Sequence, residues 1–111
     1  MIETSREIHN KLTALIKSLY PDSTIILFGS FARGQQREDS DLDICVLVPE
    51  LTMRRLDMKV EIRGLICEVC YENGLTFDIK LYTYNEFEQE SRYKSSFQHT
   101  IKTEGVTISA S

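Results

Sequence analysis

"GSFARGQQREDSDLDICVLV", Gly29 to Val48, is the stretch whose reading decides the fold. It opens on a glycine–serine pair, continues through ten mostly polar residues, and places Asp41 and Asp43 at the mouth of an apolar run ending at Val48. Residues two apart in a strand share a face, and at ~3.3 Å rise per residue these two Cα atoms lie about 6.6 Å apart. Carrying unpaired carboxylates into a core is costly. A positive partner is therefore expected where they enter.

Working outward, Thr24 to Phe28 (TIILF) is a short β-branched run that reads as a buried strand ended by Gly29. Before it, Ile8, Leu12, Leu15, Ile16 and Leu19 fall at helical spacing, with Thr4 or Ser5 placed to cap and Pro21 just beyond. After it, Leu42 to Val48 reads as a second buried strand stopped by Pro49. A long helix is predicted from near Thr52 to the Asn73–Gly74 pair, a common helix stop. Thr76 to Tyr82 (TFDIKLY) alternates as a third strand. Glu86 to Glu104, carrying Phe87, Tyr93, Phe97 and Ile101, reads as one or two helices closed by Gly105. The order αβ(loop)βαβα predicts an α/β (α+β) domain with a small sheet flanked by helices.

The bulk properties narrow the function classes. At 111 residues the chain reads as one domain, 1–111, too short for separate catalytic and substrate domains. Thirteen Lys and Arg stand against seventeen Asp and Glu, a net charge of -4, with the basic residues scattered. That argues against duplex nucleic acid, whose non-specific affinity needs clustered cations. Cys45, Cys67 and Cys70 make an odd count, and the N-terminus shows no basic-then-apolar signal segment, so a reduced cytoplasmic protein is expected. No apolar run approaches the ~20 residues that span a membrane.

Asp78 is the only acid in the third strand, and its neighbours Phe77 and Ile79 point the other way. If that strand lies beside the second, Asp78 joins Asp41 and Asp43. Two carboxylates ~4 Å apart repel by roughly 4 kcal/mol at an effective dielectric of 20. Such a triad calls for divalent metal or for protons. Mg²⁺ suits it, because that ion takes carboxylate oxygens and substrate phosphates together, and two such ions serve in-line phosphoryl or nucleotidyl transfer. Gly29 and Ser30 fit the anion side, since a glycine turn lets backbone amides approach a phosphate.

Gly29–Ser30, ten residues, Asp41–Leu42–Asp43 and a later strand acid, Asp78, together resemble the polymerase-β-like nucleotidyltransferase superfamily. The "GSFARG" opening with "SDLDI" is similar to its minimal nucleotidyltransferase branch, whose members have about this length. The resemblance implies a palm-like nucleotidyltransferase fold and Mg²⁺-dependent transfer of AMP from ATP to a hydroxyl, with two ions. It implies that Asp41, Asp43 and Asp78 are catalytic and hold the metal, Asp78 also taking the hydroxyl proton. Gly29 and Ser30 would bind the triphosphate. Beside them Ser40, Arg33 and Lys80 are candidate nucleotide contacts, Lys80 departing from the family, many of whose members place an apolar residue there. Arg33 or Arg37 in the loop could neutralise charge developing on pyrophosphate. The resemblance further implies an antitoxin whose partner is a helical HEPN-type toxin, modified on a tyrosine. Homo- or hetero-oligomers are both open.

Plainer readings stand beside these. Asp41 and Asp43 could cap a solvated turn, or the site could bind without turnover. Arg33 and Lys80 could be salt-bridged surface residues, Lys80 pairing with Asp78 on its own face. Cys67 and Cys70 read as buried packing, and His9 and His99 as facing solvent. On the long helix, Met53, Leu56, Val60, Cys67 and Tyr71 line one side and Met58, Ile62, Leu65 and Val69 another. One stripe packs on the sheet; a neighbouring helix or a partner covers the other. A small-molecule acceptor, or an antitoxin acting by occlusion alone, are the competing functions.

Overall fold

The computed structural model describes residues 5–28, 41–90, 92 and 106–109. Helix α1 spans Ser5–Leu19 and strand β1 Thr24–Phe28; strand β2 covers Asp41–Val48. Helix α2 runs Arg55–Glu72, strand β3 Thr76–Thr83, helix α3 Tyr84–Glu90 and strand β4 Val106–Ser109. The strands form one sheet in the order β3-β2-β1-β4. β1 pairs antiparallel with both β2 and β4, whereas β2 and β3 run parallel. The parallel pair needs a crossover, and α2 supplies it.

Strand alternation sorts the side chains onto two faces. Ile25 and Leu27 of β1, Leu42, Ile44, Val46 and Val48 of β2, and Ile79 and Leu81 of β3 are buried on the helix side. They meet Ile8, Leu12 and Ile16 of α1 and Met58, Ile62, Ile66 and Cys70 of α2, each at the four-residue spacing that keeps one stripe inward. On the opposite face Ile26, Cys45 and Leu47 pack under Phe87 of α3, with Tyr82 and Tyr84 alongside.

Two local signals set the ends of the long elements. At the end of α2 the Leu75 amide donates to the Cys70 carbonyl (2.9 Å) and the Gly74 amide to the Tyr71 carbonyl (3.1 Å), with Gly74 at φ 67°. This pairing requires a left-handed residue, which glycine supplies without a Cβ clash. At the start of α3, Thr83 and Glu86 form a reciprocal cap. The Glu86 amide donates to Thr83 Oγ1 (3.1 Å) and the Thr83 amide to Glu86 Oε1 (2.9 Å).

The structure refines the sequence reading in five places. Helix α2 begins at Arg55 rather than near Thr52, with Arg54 held by Asp57 through a 2.9 Å Nε–Oδ2 bond. Of the segment read as one or two helices from Glu86 to Glu104, α3 bears out Glu86 through Glu90, and most of the remainder lies outside the described residues. Strand β4 was not foreseen, four residues being too few to show alternation. Cys67 is exposed where packing was expected, while His9 is half-buried and its imidazole pKa lowered by desolvation. The second stripe of α2 is open to solvent, Leu56 at 68%, Val60 at 58% and Tyr71 at 86%, which speaks against the neighbouring-helix reading among the described residues and not against the partner-surface one.

Candidate functional site

Because β2 and β3 are parallel, they start at the same end of the sheet, and β1, running the other way, finishes there. The register sets Phe28, Asp43 and Asp78 level on three adjacent strands, with Asp41 level with Thr76. Neighbouring strands lie ~4.8 Å apart. The juxtaposition on which a shared carboxylate site depends is therefore built into the strand pairing. Leu42 and Ile44, fully buried on the helix side, force Asp43 onto the opposite face, and Phe77 and Ile79 do the same for Asp78.

Lys80 lies two residues past Asp78 on the same face, its Nζ 3.1 Å from Asp78 Oδ2. The hydrogen bond to Asp78 raises the Lys80 pKa, and the charges of Asp78 and, more weakly, Asp43 add to it. One ammonium thus answers both carboxylates. The side chains of Asp78 (54% exposed) and Lys80 (37%) both reach water, so a ligand approaching from this face meets them directly.

Below this rim the face turns apolar. Cys45, level with Lys80, is fully buried, and burial pushes its thiol up to about 12. That makes it floor packing rather than a nucleophile. Tyr82 continues the face, its pKa raised by burial, with its ring 6.3 Å from that of Phe87. Tyr82 was not singled out from the sequence, though it repeats the Asp78–Lys80 alternation.

Gly29, Ser30, Arg33, Arg37 and Ser40 lie outside the described residues, as does the side chain of Asp41. In the chain Gly29 directly follows Phe28, whose register partner is Asp43. Among the described residues no group of three or more His, Cys, Asp or Glu is arranged to hold a metal. Asp43 and Asp78, level on adjacent strands, both offer carboxylate oxygens, the donor type that a hard divalent cation takes. That chemistry fits Mg²⁺. Among the described residues no helix is long and apolar enough to cross a membrane.

A helix-backed mixed sheet with aspartates level on adjacent parallel strands defines a class. Residues 9–103 match the family described as a nucleotidyltransferase domain, and the chain belongs to that family. Among its relatives, MJ0141 of Methanocaldococcus jannaschii is 27% identical over 97% of this chain and 98% of its own. MJ1305 of the same organism is 42% identical over 47% of this chain, a match spanning only 35% of that relative. The names of both assign them provisionally to the protein adenylyltransferases. Two crystal structures share the fold. A toxin–antitoxin with AMP-PNP superposes at a TM-score of 0.58 and 22% identity, covering 93% of this chain and 73% of that one. A mutant of the toxin–antitoxin MntA–HpeT, with two aspartates changed to glutamate, superposes at 0.57 and 20% over the same shares.

Proposed function

We propose that this nucleotidyltransferase transfers AMP from ATP to a tyrosine hydroxyl of a HEPN-type partner toxin and thereby acts as its antitoxin. The observation that carries the reading is the level placement of Asp43 and Asp78 on parallel strands, with Asp41 two residues away. The toxin–antitoxin folds and the adenylyltransferase names of the relatives point to the same chemistry.

In this reading the acceptor oxygen forms a bond to the α-phosphorus of ATP as the bond to the bridging oxygen breaks. Pyrophosphate leaves, and the hydroxyl proton passes to the carboxylate of Asp78. Asp41, Asp43 and Asp78 are the residues that would hold Mg²⁺, which supplies charge neutralisation for the phosphates. Gly29, Ser30 and Ser40 take phosphate oxygens, with Arg33. Lys80, already beside Asp78, presents an ammonium on the side from which a triphosphate arrives.

The test is the intact mass of the partner toxin after incubation with this protein, ATP and Mg²⁺. A gain of one or more AMP is expected, falling by at least ~100-fold in rate for Asp43→Asn and for Asp78→Asn. A gain undiminished in both variants overturns the site. No gain, with a stable complex still formed, favours an antitoxin that works by occlusion.

A further inference from the structure

We propose that the outer edge of β3 docks the acceptor as an extended segment of a partner polypeptide, added as a fifth strand beside Asp78; this deepens the transfer reading and rests on it.

β3 is an edge strand, and among the described residues no element pairs with its outer side. The Leu81 carbonyl accepts from Arg55 Nη1 at 2.6 Å, and the Thr83 amide donates to Glu86 Oε1 at 2.9 Å, so both point away from β2. Backbone groups of alternate residues share a direction. Phe77 and Ile79 therefore also present N–H and C=O groups outward. The Arg55–Glu86 pair (2.7 Å) occupies the far half of the edge, and among the described residues nothing covers the half alongside Asp78. Charged cover of this kind is how sheet edges are protected from unwanted pairing. Here the cover stops short of the carboxylates.

A second, separate feature lies beside the same half. A groove of about 350 Å³ is lined by Arg63, Cys67, Tyr71, Leu75, Thr76 and Phe77, on the helix side of the strand. The Arg63 guanidinium lies 5.0 Å from the Phe77 ring centroid, giving the groove a cationic wall suited to an aromatic face. A strand paired with Phe77 and Ile79 sends alternate side chains to opposite faces. The residue level with Asp78 points onto the carboxylate face, ~4.8 Å from it along the sheet. Its immediate neighbour points to the helix side, toward the groove. The acceptor segment is thus a hydroxyl-bearing residue directly next to a large apolar or aromatic one.

The probe is the blocked peptide Ac-Lys-Val-Leu-Tyr-Val-Glu-NH2, added without ATP or Mg²⁺, with amide hydrogen exchange as the readout. Exchange at Phe77 and Ile79 should slow at least ~10-fold at saturation. A peptide N-methylated on its pairing amides should not protect, and Leu→Ala in the peptide or Cys67→Trp in the protein should weaken binding at least ~10-fold. Unchanged exchange at saturating peptide, or equal binding of the N-methylated peptide, overturns the proposal. So does prior protection of both amides in a free protein of doubled mass, which assigns the edge to a second copy. AMP transfer to the peptide is measured separately. Transfer without edge protection overturns the docking and leaves the activity standing; protection without transfer supports the docking and counts against the activity.

Discussion

Glu86 ties a strand end, a helix start and the crossover helix together, and Glu86→Gln should loosen that knot at neutral pH but not in acid. Its carboxylate accepts from Arg55 Nη2 (2.7 Å), Arg55 Nη1 (3.1 Å) and the Thr83 amide (2.9 Å). These bonds, Arg55 foremost, hold the carboxyl down to about 2 from 4.5. At ~1.36 kcal/mol per tenfold change the drop has a ceiling of ~3.4 kcal/mol. Both side chains are about two-fifths exposed, at 39% and 41%, and water screens the pair to about 1 kcal/mol. Glutamine keeps a carbonyl for the Thr83 amide, so only the charged part is lost. A carboxyl depressed in the fold contributes stability that is present above its unfolded value and lost as pH falls through its folded one. The gap between wild type and variant should be full at pH 7, ~4 °C in Tm, and less than half that by pH 3. Thermal melts by circular dichroism across this range measure it. A gap equal at pH 7 and pH 3, or none at pH 7, would refute the charge argument.

Three further outcomes are expected. Ile62→Ala, emptying a fully buried site between α2 and the sheet, should cost ~2–5 kcal/mol in urea unfolding, a large part of a small domain's stability. Gly74→Ala, forced to φ 67°, should cost about 1 kcal/mol in the same assay. A thiol reagent should label Cys67 in the native protein within minutes, while Cys45 and Cys70, buried and pushed up to about 12 and about 11, should react only after denaturation. Labelling of all three at one rate would contradict the packing described.

Much of the fold could be read because its signals are local. The spacing of Ile8, Leu12 and Ile16, the β-branched run of β1 and the Asn73–Gly74 stop each act within a few residues, and each lies where the pattern put it. Strand β4 could not be read this way, since four residues carry no period and their identity as a strand comes from pairing with β1. Cys67 and Cys70 look alike in sequence, three residues apart on one helix. Which of them is buried depends on the sheet beneath α2. The Thr83–Glu86 cap was not read from the sequence, and its tie to Arg55 spans 31 residues, beyond any local signal.

The sequence by itself determined the ingredients of the candidate site: which strands enter the core, and that Asp41, Asp43 and Asp78 sit at alternating positions that exclude them from the apolar face. Only the tertiary structure decided that β2 and β3 are neighbours, parallel, and in the register that sets Asp43 level with Asp78. The reason is physical. Side-chain alternation is a property of one strand, whereas adjacency and register follow from α2 crossing over the sheet and burying its inward stripe, a condition that joins residues far apart in the chain.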